Sequence, residues 1–183
     1  IFTLTNLYFM FSIHWTLGLP LLIWLFAYAS TLAYFVPKVK ARATIMSEDM
    51  SMLTGQIVDS LTNVLPAKYF ARIQYEDERI VKQLKIHSKS FRATTGTFWG
   101  MSLVIDCLNS ALLISTTLVG LWLVDTQGHI GVAALAMALP MALQATFQSG
   151  WIMFEVSGIF ENLGRVQDTI DTLAKPHKVT DKP

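Results

Sequence analysis

Residues 1–36 and 98–124 form two long apolar runs that contain no Lys, Arg or Glu, and Asp106 is the one acid within them. Each exceeds the ~20 residues with which a helix crosses a hydrocarbon core of about 30 Å. As a single helix the first run would be about 54 Å long, too long for one ordinary crossing. Its middle carries the polar step His14, Trp15, Thr16. The pattern predicts two helices, one ending near Ile13 and too short to span, the other running from about Leu17 to the interface marked by Pro37, Lys38, Lys40 and Arg42. Trp15 and Tyr34 are the expected aromatic anchors. A third span is expected over about 93–124, then an external turn at 125–131 and a fourth span over about 132–154.

Residues 38–92 become polar without losing helical period. Met46, Met50, Leu53, Ile57, Leu61 and Val64 make one apolar stripe, and Tyr69, Phe70, Ile73, Ile80, Leu84, His87 and Phe91 make another. The charged run from Tyr75 to Arg79 interrupts the second stripe and is the expected place of reversal, and the legs project less far if Pro66 kinks one. The fold class predicted is all-α, a polytopic membrane helix bundle with long helical legs. The period resumes at Ile159, Leu163, Val166 and Ile170. Residues 174–183, with their prolines and lysines and no apolar stripe, read as a linker towards a further domain. The short first helix and the opening on Ile1 read as a truncated start.

Charge placement adds orientation. All 14 Lys and Arg lie within 38–92 or 165–182, so both basic segments are expected to be cytoplasmic and the two short turns external. With 52% hydrophobic and 15% charged residues and a net charge of +1, the chain fits an integral membrane protein among lipids, with no nucleic-acid partner. The single cysteine, Cys107, excludes a disulfide framework and is expected to be a small packing residue. His14 and His129 are expected to be solvated in the external turns.

No phosphate-binding loop, zinc-helix motif, dinucleotide fingerprint or nucleophile elbow occurs, so this segment is expected to hydrolyse no ATP alone and to hold no cofactor or metal. The polar residues inside the spans are then the candidates for direct function. Gln144, Gln148, Glu155 and Asn162 fall within roughly 40° of one another on the fourth helix. Ser102, Asp106 and Asn109 make a similar stripe on the third. Both stripes have two readings, a wall of a substrate path or hydrogen bonds that join the bundle. Gly96 and Gly100 have the spacing that permits close helix approach. The acidic turn Glu76, Asp77, Glu78 at the end of two legs suggests a docking surface for a cytoplasmic partner.

Three stretches carry a resemblance: "SIHWTLGLPLLIW", "LTGQIVDSLTNVLPAKYFARIQYEDER" and "SGWIMFEVSGIFENLGRVQDTI". In order and spacing they resemble the transmembrane domain of ATP-binding cassette (ABC) exporters of the half-transporter type, which includes multidrug and lipid exporters. The resemblance implies that residues 1–173 are the last four of six helices, with a cytoplasmic loop over about 38–92, and that 174–183 lead to an ATPase domain fused or separate. It further implies a bacterial inner membrane, pairing with a second copy or a paralogue, ATP and Mg in the ATPase domain, and efflux by alternating access. The full-length protein would be an ATP-hydrolysing translocase. Asp106, Asn109, Gln144, Gln148 and Glu155 become substrate-path candidates, and Ile73, Gln74, Tyr75, Glu76, Asp77 and Glu78 the element coupled to the ATPase. The rival readings are an ATP-independent ion- or proton-coupled carrier using Asp106 and Glu155, and a membrane scaffold without transport. The substrate, and homodimer against heterodimer, stay open.

Overall fold

The computed structural model describes the backbone of residues 2–173, and side-chain surroundings for residues 3–155 except Ile130. Among the described residues the chain is almost wholly helical, in the order α1 (Phe2–Ile13), α2 (Trp15–Thr62), α3 (Val64–Tyr69), α4 (Ile73–Gln127) and α5 (His129–Leu173). The all-α class expected from the pattern is the one observed. Three helices among the described residues are long and apolar enough to cross a membrane, Trp15–Thr62, Ile73–Gln127 and Gly131–Glu155. Helix α1, with 12 residues, is shorter than a crossing requires. Helix is the available solution because a backbone in hydrocarbon must satisfy its own N–H and C=O groups. Pro20 and Pro37 lie inside α2 without ending it.

The first helix break falls at the polar step. His14 separates α1 from α2, and its Nδ1 accepts the backbone N–H of Thr16 at 3.3 Å and lies 2.6 Å from the Thr16 hydroxyl. The imidazole thereby satisfies one of the backbone donors that the first turn of a helix leaves unpaired. His14 is half-buried in this role, so it is more than a solvated turn residue.

The reversal between the legs lies earlier than the pattern suggested. Residues Tyr75 to Arg79 are helical, inside α4, and the chain turns through α3 and the residues flanking it. Asn63 ends α2 by donating from Nδ2 to the carbonyl of Asp59 at 3.1 Å and to its carboxylate at 2.9 Å. Helix α3 closes with Ala71 N–H donating to Lys68 C=O at 3.2 Å and Arg72 N–H donating to Ala67 C=O at 2.9 Å. These are the two bonds of a Schellman cap, whose left-handed residue is usually glycine. Here it is Ala71, with φ 51°. A Cβ in that conformation costs roughly 1–2 kcal/mol. Pro66 does not kink a leg, because it sits in the first turn of α3, where a missing N–H leaves no bond unmade. The acidic run is no helix breaker either, since Glu76 in the first turn of α4 is favoured by the helix dipole.

The chain forms two compact units. The first contains Ile1–Lys38 and Gly96–Glu155. Its core includes Met10, Leu17, Leu21, Trp24, Tyr28, Met101, Ile105, Leu112 and Leu123. Facing them, α5 presents Ala134, Ala138, Ala142 and Ala145, all buried, at helical spacing. Small residues let helix backbones approach closely, which in lipid takes the place of a hydrophobic driving force. Gly131 continues that stripe to the α4–α5 turn, where an added Cβ would run into the backbone of Leu123 and Val124. The Gly96–Gly100 pair is not used this way, for nothing lies within 4 Å of a Cβ at Gly96 and only Phe35, at 3.9 Å, near one at Gly100.

The second unit contains Val39–Thr95 and Val156–Pro183. In it α2 and α4 pack through the buried Leu53 and Gln83, with Gln83 Nε2 donating to Asp49 C=O at 3.3 Å and Arg42 Nη1 donating to Ala93 C=O at 2.9 Å. Most of the predicted stripe residues are exposed, Leu61, Tyr69 and Phe70 among them. Two helices side by side have one seam to bury, so half of each stripe stays outside. The side chains of Ile159, Leu163, Val166 and Ile170, and all of 174–183, lie outside the described residues.

Gly131→Ala is expected to cost about 1–3 kcal/mol through overpacking against backbone. Gly96→Ala, at an open helical site, should be neutral or stabilising because alanine is the better helix former. Thermal unfolding of the purified protein in detergent checks the pair, and equal midpoints would argue against the close α4–α5 contact.

Candidate functional site

The span residues singled out by sequence separate into three environments. On α5, Gln144 and Gln148 both meet α1. Asn6 Nδ2 donates to Gln144 Oε1 at 3.2 Å and lies 3.4 Å from Met141 C=O, and Thr3 Oγ1 donates to Gln148 Oε1 at 3.3 Å. Asn6 is buried and Gln144 remains exposed at the edge of the contact. These bonds tie α1 to α5.

Asn109 forms a second environment, where α2, α4 and α5 meet. Its Oδ1 accepts from Trp24 Nε1 at 3.2 Å, and its Nδ2 donates to Ser149 Oγ at 3.0 Å. The Ser149 hydroxyl has Thr146 C=O at 2.7 Å and Asn109 Oδ1 at 3.1 Å as acceptors. Tyr28 donates its hydroxyl to Ser149 C=O at 2.9 Å, and its ring stacks on Trp24 at 5.1 Å. An amide is suited to this place because it donates and accepts at once, so every group in the node finds a partner. Sequence reading picked out Asn109 but missed Trp24, Tyr28, Ser149, Thr3 and Asn6. Trp24 and Tyr28, four residues apart with polar tips, were the available signal.

Asp106 occupies the third. Its stripe with Ser102 and Asn109 splits, for Asn109 turns into the bundle while Asp106 is exposed. Its carboxylate accepts from Ser102 Oγ at 3.4 Å, and its backbone carbonyl accepts from Ser110 Oγ at 2.9 Å. Cys107 beside it is exposed and packs into no core, contrary to the packing role expected of it. Glu155 is exposed near the end of the described side chains, and that of Asn162 lies beyond them. On the side of α4 roughly opposite Asp106, a cleft of about 640 Å³ opens between α2 and α4, lined by apolar side chains such as Ile23, Leu112 and Trp122.

The six residues assigned to coupling open α4. Ile73 and Tyr75 are exposed, as are Gln74, Asp77 and Glu78, while Glu76 is half-buried. Arg79 Nη1 lies 3.4 Å from Asp59 and 3.6 Å from Glu76, fastening the end of α2 to the start of α4. Asn63, Pro66, Phe70, Arg72 and Glu76 line an open cavity of about 540 Å³ under α3. The tip therefore comprises α3 as well as the residues that sequence indicated.

Long apolar helices with polar groups joined across them define an integral membrane helix bundle. Within that class the chain belongs to the ABC transporter transmembrane region family, whose family model matches residues 1–147. It is 33% identical over 171 residues to an uncharacterized ABC transporter ATP-binding protein of Haemophilus influenzae, a match covering 90% of this chain. The chain spans 27% of that relative's length.

Asn109→Leu strands Trp24 Nε1 and leaves the Ser149 hydroxyl with Thr146 C=O alone, and is expected to cost about 1–2 kcal/mol, against about 0.5 kcal/mol for Gln144→Leu at its exposed site. In a cycle with Ser149→Ala, unfolding in mixed detergent should report a coupling of about 0.6 kcal/mol or more. Strict additivity would dissolve the node.

Proposed function

We propose that this chain is the membrane-spanning part of an ATP-driven exporter that moves its substrate by alternating access. It works paired with a second copy or a paralogue, in a bacterial inner membrane. An ATPase domain, in cis or in trans, binds ATP and Mg and drives the change. Residues 38–92 and 165–182, which hold every Lys and Arg, face the cytoplasm by the positive-inside rule. The observation that carries the reading is the continuity of α2 and α4. Each runs unbroken from apolar span residues into the polar loop, and the two are joined by a short capped helix rather than a loose turn. Transmission along the legs calls for an unbroken backbone closed at its end, and the helical continuity of α2 and α4 with the Arg79–Asp59–Glu76 bridge supports that reading. The name of the Haemophilus relative, an ABC transporter ATP-binding protein, supports an ATPase acting on this domain.

The docking element in this reading is the tip, Ile73 to Glu78 together with α3. Tyr69, Phe70 and Tyr75 expose their rings there, which suits insertion into a partner's apolar cleft. ATP drives the switch only by binding one state of the assembly better than the other, so the tip must transmit a difference in free energy between those states. Asp106, Asn109, Gln144, Gln148 and Glu155 stay the substrate-path candidates. The hydrogen bonds of Asn109, Gln144 and Gln148 to neighbouring helices favour a positioning part for those three.

In the full-length transporter, replacing Tyr75 and Glu76 together by Ala should lower ATP-dependent transport by ~tenfold while membrane insertion and nucleotide binding persist. Transport and substrate-stimulated hydrolysis in proteoliposomes check this. Unchanged values would remove the coupling assignment, and uptake driven by a proton gradient without nucleotide would replace the exporter reading by the carrier.

A further inference from the structure

We infer that the face of α4 carrying Trp99, Ser102, Asp106 and Ser110 lines the translocation path and selects a positively charged organic substrate. The inference rests on the exporter reading above and adds to it the chemical class of the cargo.

Asp106 lies about 12 Å along the apolar run that begins at Phe98, well inside the hydrocarbon depth. An ionisable group there belongs on a wet cavity or a bundle interior rather than against lipid. Within this chain it does not face the interior. Ile105 and Met101 turn to the core, while Asp106 is exposed and among the described residues its carboxylate meets a single hydroxyl, that of Ser102. Nor does the unit around it supply a counter-charge. Lys38 is the only Lys or Arg in that unit, and its ammonium sits 3.6 Å over the ring of Tyr34. A charge complementary to Asp106 therefore has to come from outside this unit.

The rest of the face fits a cation independently of the acid. Trp99 stands two turns along the same side and is 66% exposed, and an indole is the best aromatic surface for a positive charge. Ser102 and Ser110 flank the carboxylate with hydroxyl oxygens able to accept from an ammonium. No basic residue lies anywhere in the run 98–124, so an anion would meet repulsion from Asp106 and only neutral donors, the hydroxyls and the Trp99 indole N–H. The opposite side of α4, with its apolar cleft, carries no such arrangement.

The chain contains its own reporter. Cys107, its one cysteine, is exposed next to Asp106. With the full-length transporter in proteoliposomes, the rate at which a water-soluble maleimide labels Cys107 is read by mass spectrometry of the peptide that carries it. Tetraphenylphosphonium should slow labelling by ~fivefold or more, and tetraphenylborate, of the same size and opposite charge, should not. Protection by the cation should be lost in Asp106→Asn and kept in Asp106→Glu. Equal protection by both ions, undiminished protection in Asp106→Asn, or a Cys107 that the reagent never reaches would each overturn the inference. The labelling rate is also compared with and without ATP and vanadate in the absence of either ion. No dependence on nucleotide would count against alternating access, while charge selection is still decided by the paired ions.

Discussion

Helices already dissolved in lipid gain little from exchanging a hydrocarbon neighbour for a leucine, so association inside the membrane depends on how closely backbones approach. In the unit that contains the spans, that closeness is provided by one face of α5. Gly131, Ala134, Ala138, Ala142, Ala145 and Ser149 place almost no bulk between α5 and its neighbours. The large residues sit opposite, on α2 and α4, where Leu17, Leu21, Trp24, Met101, Ile105 and Leu112 fill the space that the alanines leave. Dispersion between interdigitated large and small residues, tiny per atom pair, adds up over such a seam. Hydrogen bonds then fix what packing alone leaves loose. The Trp24–Asn109–Ser149 node sets α2, α4 and α5 in one register, because sliding any of them by a turn would strand a buried polar group.

In the other unit the constraint is different. Outside hydrocarbon the helix ends have to be closed by local chemistry, and the turn between α2 and α4 is short enough that each orphaned group needs a named partner. Asn63 closes α2 with its side chain, the Schellman bonds close α3, and Glu76 complements the start of α4. Ala71 in a left-handed conformation is the one strained residue of this turn, and the surrounding bonds hold it there. A glycine would relieve the strain but also loosen the unfolded and partly open chain.

The architecture was legible because its signals are long. Spans of apolar residues, a polar step at His14 and the confinement of Lys and Arg to two segments are each repeated over many residues, and local exceptions do not erase them. Single-residue features were harder to read. The reversal was misplaced because Ala71 occupies the position that glycine normally announces, and the acidic run that looked like a break is a favourable helix start. Periodicity placed Gln144 and Gln148 on one line without saying that α1 lies along it, since the partners Thr3 and Asn6 belong to a helix whose packing the sequence does not express. Cys107 was misjudged for the same reason, for apolar surroundings in sequence do not distinguish a core face from an outer one in a helix apolar all round.

Asn109 and Asp106 show what decides the matter where periodicity cannot. They lie three residues apart on one helix and looked alike as polar intrusions into a span. An amide carries donors and acceptors together, so the bundle can satisfy it from Trp24 and Ser149 with no charge to neutralise. An ionised carboxylate only accepts, and burial without a cation would be more costly than any packing gained. The surrounding unit has one ammonium, and it is engaged by an aromatic ring. Chemistry thus directs the amide inward and the acid outward. In a helix that crosses lipid, the side to which an acid is directed has to be the side where water or a partner charge arrives.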